Sequence, residues 1–366
     1  MTPFPRHTHD WYRKRLAPPR GPVRIVVDTD AANEIDDQFA LAWVLLSSDR
    51  LLLEAVYAAP FSFEYQRQEM VRARNVRDDP SGATPADCDL LRNYASRIEH
   101  FDRKGWSIET VDLPVFNPPA AGMERSYREI LTVFDKLGCP RQDKVYRGSA
   151  GYLQGVDEPR SSEAVDHLVR SARATPPDQP LYVVALGCVT NIACALLTAP
   201  DIIDKIVVVW TSGFPSHSPQ TNHSFNLEQD MLATTVLLDS GVPLVYLPGY
   251  HVGAQLRLSL PEMERYVKGR GAIGDYLHQL FTHNPLWEFA GIDSFFAHSW
   301  VIWDIINVAW LLNSDWVPSG MLSTPVLDAQ RRWQQASDRH PMREAYGVAR
   351  DAIFRDFFMK LETAPA

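Results

Sequence analysis

The sequence predicts an α/β fold, an open and mostly parallel sheet flanked by helices in the Rossmann-like manner. Three observations predict it. Short β-branched runs alternate with apolar helix-like segments along most of the chain, the pattern of repeated strand–helix–strand units. An acidic loop follows the first strand directly, at the carboxyl end of a strand, where such sheets place ligands. The 366 residues, 45% hydrophobic and 22% charged, have an ordinary globular composition and suffice to bury a sizeable core.

Residues 1–22 read as an N-terminal extension and 23–366 as a single α/β domain. The extension has no apolar h-region and no cleavage-like site, so a cytoplasmic protein is expected. Val23–Asp28 is the first strand, a β-branched run after a Pro/Gly-rich lead. Asp37–Ser47 has the continuous apolar content of a buried helix, and Leu51–Ala58 is the second strand. The stretch from about 61 to 119 is charged and less regular, with a turn at Asp78-Asp79-Pro80-Ser81-Gly82. It reads as a helical insertion or lid over the sheet edge. Strands follow at Pro180–Leu186, Lys205–Thr211 and Pro243–Leu247, with helices at Asn191–Thr198 and Asp230–Ser240 and helical pattern from about Leu260 to Leu312.

Composition excludes several classes. A net charge of −9 argues against a nucleic-acid partner, because phosphate neutralisation needs clustered Lys and Arg. No stretch reaches the roughly 18 apolar residues that a membrane helix needs. The four cysteines are widely spread without CxxC pairs and read as buried reduced thiols.

The densest chemical signal is Asp28-Thr29-Asp30-Ala31-Ala32-Asn33-Glu34-Ile35-Asp36-Asp37, with five acidic side chains in ten residues. Carboxylates crowded in this way raise one another's pKa unless a cation neutralises them. Oxygen-only ligands suit Ca²⁺ or Mg²⁺ rather than zinc. A solvated acidic turn capping the next helix would use the same residue types.

This segment resembles the amino-terminal DxDPGxDD signature of the inosine–uridine-type nucleoside hydrolases, with a longer loop, Ala31–Ile35, in place of Pro-Gly-x. The resemblance implies the nucleoside hydrolase fold, a Ca²⁺ cofactor, a nucleoside-like substrate and a homodimer or homotetramer. It makes Asp30 a metal ligand and the base that activates water, Asp37 a ligand, and Asp36 a sugar contact, with Asp28 in support. Ala185-Leu186-Gly187-Cys188-Val189-Thr190-Asn191 resembles a second family element, in which the Leu186 carbonyl would bind the metal. Asn222-His223-Ser224-Phe225-Asn226 resembles the ribose-binding segment. There Asn222 and Asn226 would hold the sugar, and Ser224 stands where the family has Glu. Trp303-Asp304-Ile305-Ile306-Asn307 resembles the last element, with Asp304 binding both metal and ribose and Trp303 in place of the usual His.

The implied reaction is hydrolysis of a ribonucleoside N-glycosidic bond, in which the sugar gains oxocarbenium character. His251 is the candidate acid for the leaving base, with His298 and His223 as alternatives. The aromatic group Trp287, Phe289, Phe295, Phe296, Trp300 and Trp303 reads mostly as core at helical spacing, with room for one ring that stacks on a base. Two other readings compete. One is a sugar- or nucleoside-binding protein on the same fold that has lost catalysis, supported by Ser224 and Trp303. The other is a DxD metal-dependent phosphatase, which needs a later Lys that the sequence does not offer and leaves the Asp36-Asp37 pair unexplained.

Overall fold

The computed structural model describes residues 4–176, 178–292 and 297–365. Eight strands make the main sheet: β1 (Val23–Thr29), β2 (Leu51–Ala58), β3 (Val145–Arg147), β4 (Leu181–Ala185), β5 (Ile206–Ser212), β6 (Leu244–Pro248), β7 (Ser319–Ser323) and β8 (Pro341–Ala345). Their spatial order is β3-β2-β1-β4-β5-β6-β8-β7. All neighbours run parallel except β7, which pairs antiparallel with β8 at the edge. Strand order reverses between β1 and β4, where Asp28 lies beside Ala185. A crevice opens past the carboxyl ends of strands at such a reversal.

The central strands are covered on both faces, and β1, β4, β5 and β6 are accordingly near-continuous apolar runs. Helix α2 (Asp36–Leu45) is buried almost along its whole length, with Phe39, Leu41 and Trp43 in the core. This explains its apolar character on every face. The predicted strands and helices of the central sheet agree with these elements to within a few residues.

Residues 61–119 contain two helices, α3 (Glu64–Asp78) and α4 (Pro85–Lys104), with a core of their own from Phe63, Met70, Tyr94, Ile98 and Phe101 joined by Phe289. Local chemistry sets their ends. Asp79 accepts from the Ser81 N–H at 3.0 Å in the predicted turn. Thr84 and Asp87 then form a reciprocal capping box, and Gly105 stops α4 in the left-handed region at φ +68°.

Three expectations need correction. The region 260–312 is not helical throughout: Arg257–Ser259 pairs antiparallel with Ser299–Val301. Trp300 therefore sits on a strand rather than a helical stripe, while Phe295 and Phe296 lie outside the described residues. The carboxyl-terminal strands β7 and β8 had no counterpart in the sequence reading. Of the cysteines, Cys188 and Cys194 are buried, but Cys88 is exposed. No described helix is long and apolar enough to cross a membrane.

Candidate active site

Three chain segments meet at the β1/β4 reversal. The first is the loop from Asp30 into α2. It turns through Ala32 in the left-handed region at φ +78°, a strained conformation for a residue with a Cβ. The Arg125 guanidinium donates to the Ala32 carbonyl at 3.0 Å and helps to hold this turn. The second is the strand-to-helix turn after β4. Gly187 is required there, because a Cβ on it would lie 2.5 Å from the Asp30 carboxyl carbon. The third is the helix Ile305–Leu312, which Asn307 anchors by donating to the Ala185 and Val209 carbonyls at 3.1 and 3.0 Å.

Together these segments line a cavity of about 110 Å³. Asp30, Glu34, Asp36, Asp37 and Asp304 all face it, and among the described residues no Lys, Arg or His lines it. Carboxylate oxygens of Asp36, Asp37 and Asp304 lie within 4.8 Å of one another. Neither Asp36 nor Asp304 is engaged in capping a helix: Asp304 stands at the N-cap without a side-chain cap bond, and α2 has no side-chain cap either. The Thr29 hydroxyl donates to Asp37. Asp30 is fully buried, and its Oδ1 has no hydrogen-bond partner.

Burial and mutual repulsion hold these carboxyls above their usual range. Asp30 is raised by burial and then by the charge of Asp37. Asp36 is raised by burial, Glu34 and Asp37, and Asp304 by burial, Asp36 and Asp37. Burial lifts Asp37 to about 6, with the Thr29 bond working against it, and lifts Glu34 to about 7 against the Trp300 indole N–H, which donates at 3.3 Å. Such an all-oxygen acidic set, with one oxygen unbonded and no basic side chain, fits a hard divalent cation.

Most of the other sequence candidates also line the cavity: Leu186, Ser224, Asn226 and Trp303. The Asn226 amide donates to the Leu186 and Thr211 carbonyls at 2.6 and 3.1 Å. This orients the Leu186 carbonyl and leaves the Asn226 carbonyl oxygen free of those bonds. Ser224 shares a 2.9 Å hydrogen bond with Ser212.

Asn222 and His251 stand elsewhere. Asn222 is fully buried outside the cavity lining. Its side chain is occupied: Oδ1 accepts from the Phe214 N–H at 2.7 Å, and Nδ2 donates to the Arg331 carbonyl at 2.9 Å. It braces a loop rather than facing a sugar. His251 lies on a left-handed turn at φ +68° and is exposed, with its ring against Phe214. His298 is exposed as well, and His223 pairs with Glu228 at 2.9 Å outside the lining. None of the three histidines reaches the cavity. Glu34 and Tyr250 are among the lining residues that the sequence left without a role. Glu34 was visible only as part of the acidic run, and Tyr250 is placed by its hydroxyl, which donates to the His223 carbonyl at 2.6 Å.

The family model for inosine-uridine preferring nucleoside hydrolases matches residues 106–354. The chain belongs to that family. Leu186, Asn226 and Asp304 of this nucleoside hydrolase homologue fall inside the matched span, whereas the acidic loop 28–37 precedes it. Over 162 residues the chain is 25% identical to the pyrimidine-specific ribonucleoside hydrolase RihA of Enterobacter sp., covering 43% of this chain and 50% of that one. The chain thus spans about half the length of the curated relatives it matches. Among solved structures, the purine-preferring ribonucleoside hydrolase of Gardnerella vaginalis is similar with a TM-score of 0.61 at 19% identity, covering 93% of this chain and 98% of that one. The inosine-uridine preferring nucleoside hydrolase of Bacillus anthracis is similar with a TM-score of 0.54 at 18% identity, over 93% and 99% of the two chains. These similarities extend the family's fold over nearly the whole chain.

Proposed function

We propose that this protein hydrolyses the N-glycosidic bond of a ribonucleoside or nucleoside-like compound in a Ca²⁺-dependent reaction, releasing ribose and a base. One observation carries the reading: five carboxylates face one small cavity with no basic side chain among its lining residues, on the frame of a nucleoside hydrolase. Asp30, Asp37, Asp304 and the Leu186 carbonyl would hold the ion, with Asp36 close enough to Asp37 and Asp304 to join them. Bound there, Ca²⁺ would supply charge stabilisation and make a water more acidic.

The remaining work falls to the protein. Asp30 Oδ1, buried and unpaired, accepts the proton of the attacking water. Asp36, Asp304 and Asn226 bind ribose hydroxyls and fix C1′ for attack, and such positioning lowers the barrier by several kcal/mol. Ser224, with Ser212, meets the far end of the sugar. Trp303 and Tyr250, 6.0 Å apart with perpendicular rings, offer an apolar face to the base.

A binding protein with impaired catalysis is the second reading, and the absence of any histidine from the cavity lining favours it. The two readings separate on p-nitrophenyl riboside, whose leaving group departs without a proton. The hydrolase reading expects turnover in Ca²⁺ that is abolished by Asp37→Ala, with slower release of a purine or pyrimidine base. Tight binding of nucleosides without turnover of either substrate would favour the binder and contradict the hydrolase.

A further inference from the structure

Gln229 touches the proposed base from outside the cavity, and nothing in the sequence marks it as special. We infer that Gln229 is a positioning residue: it fixes which oxygen of Asp30 is presented to the attacking water. The inference rests on the reading of Asp30 as the proton acceptor.

Gln229 is buried at the end of the short helix Phe225–Glu228. Its amide can face only one way. The side-chain oxygen accepts from the Ser62 backbone N–H at 3.2 Å and from the Tyr152 hydroxyl at 2.9 Å. A backbone N–H can only donate, so a flipped amide would set two donors against each other. The NH₂ group is therefore directed at Asp30 Oδ2, 3.2 Å away.

The consequence for Asp30 follows from the same geometry. Oδ2 is engaged by Gln229, while Oδ1 has no hydrogen-bond partner, on a carboxylate that lines the cavity. Gly187 packs against the same carboxylate: a Cβ there would sit 2.6 Å from Oδ1 and 2.9 Å from Oδ2. The carboxylate is thus gripped through one oxygen, which leaves the other as the one available to a water. Ser62 lies at the start of the 61–119 insertion and Tyr152 in the loop after β3, so segments distant in sequence define the orientation of one carboxylate. The glutamine is itself buried.

The experiment compares the full-length wild type with Gln229→Leu, Tyr152→Phe and Asp30→Asn on p-nitrophenyl riboside in saturating Ca²⁺. Losing the donor should lower kcat by about 10- to 100-fold, the scale on which misplacement of a catalytic group acts, with KM unchanged within about twofold. Tyr152→Phe removes one hydroxyl from a ring that otherwise stays in place. The remaining Ser62 bond still orients the amide, so kcat should fall by only a few fold. Calcium affinity, read by calorimetry, should stay within about threefold for both variants. Should Gln229→Leu keep its kcat within twofold, or raise KM with kcat intact, the inference is overturned. If Gln229→Leu does not fold, a Tyr152→Phe variant with unchanged kcat overturns it instead. Failure of the underlying reading looks different: the wild type would not turn over, or Asp30→Asn would retain full activity.

Discussion

Glu228 and Glu69, the latter on α3, face cations, whereas Asp30, Asp36, Asp37 and Asp304 face mainly one another. Arg331 reaches from the turn between residues 327 and 333 to pair with both glutamates, 3.1 Å from Glu69, and His223 lies 2.9 Å from Glu228. Tyr94 donates to Glu69 at 2.7 Å. The cavity carboxylates have hydrogen-bond donors such as Thr29 and Gln229 but no positive side chain among the cavity lining. Glu228 is buried although its partners are only partly so, and burial raises Glu228 as it raises the aspartates. A folded chain keeps buried charge by pairing it. The first cluster is complete within the protein, whereas under the proposed function the second is completed by a cation from solution.

Removing a charge should then have opposite effects in the two places. Arg331→Met leaves Glu228, whose side chain is 3% exposed, with the His223 ring beside it but without its arginine. It should cost about 3 kcal/mol of unfolding free energy in urea, since a buried carboxylate loses its guanidinium partner. Asp36→Asn, measured in chelator at pH 8, should instead raise stability by on the order of 1 kcal/mol, because it relieves like-charge crowding. A loss of stability in that variant would mean that the cavity carboxylates are already balanced.

Gly187→Ala probes how tightly the second cluster is fitted. The new methyl would meet Asp30 at 2.5 Å, so the carboxylate must move. Activity should drop by about 100-fold, as for other small displacements of a catalytic group, with the far-ultraviolet circular dichroism spectrum unchanged.

A further effect concerns a group outside both clusters. Burial, then the charge of Arg339, lowers His340 to about 4. The unfolded chain takes up this proton near pH 6.5, whereas the folded protein resists until about 4. The neutral ring's contribution is therefore present above pH 6.5 and lost as pH falls from there towards 4. His340→Phe should flatten the acid side of the stability curve in that window. An unchanged slope would place the acid sensitivity elsewhere.

How much of this was legible in the sequence follows from the kind of signal each part leaves. Strands β1 and β4 to β6 are runs of Val, Ile and Leu because both their faces are covered. Strands β7 and β8 read Ser-Gly-Met-Leu-Ser and Pro-Met-Arg-Glu-Ala. They carry no such pattern and become strands through pairing at the sheet edge, which sequence does not display. The acidic loop announced itself by charge density alone. Asn222 and Asn226 could not be told apart, since both lie in an irregular segment where only folding decides which amide braces a loop and which meets the cavity. His251 looked suitable for its position after a strand, and a left-handed turn carries it out to solvent. Gln229 left no local trace, because its role is set by Ser62 and Tyr152, far away in the chain.

Calorimetric titration of chelator-stripped protein with Ca²⁺ tests the cation requirement most directly. We predict saturable binding accompanied by a rise in Tm, as expected for a ligand that binds only the folded state, with both lost in Asp304→Asn. The account would be contradicted if the wild type gave no binding heat and no change in Tm with either Ca²⁺ or Mg²⁺.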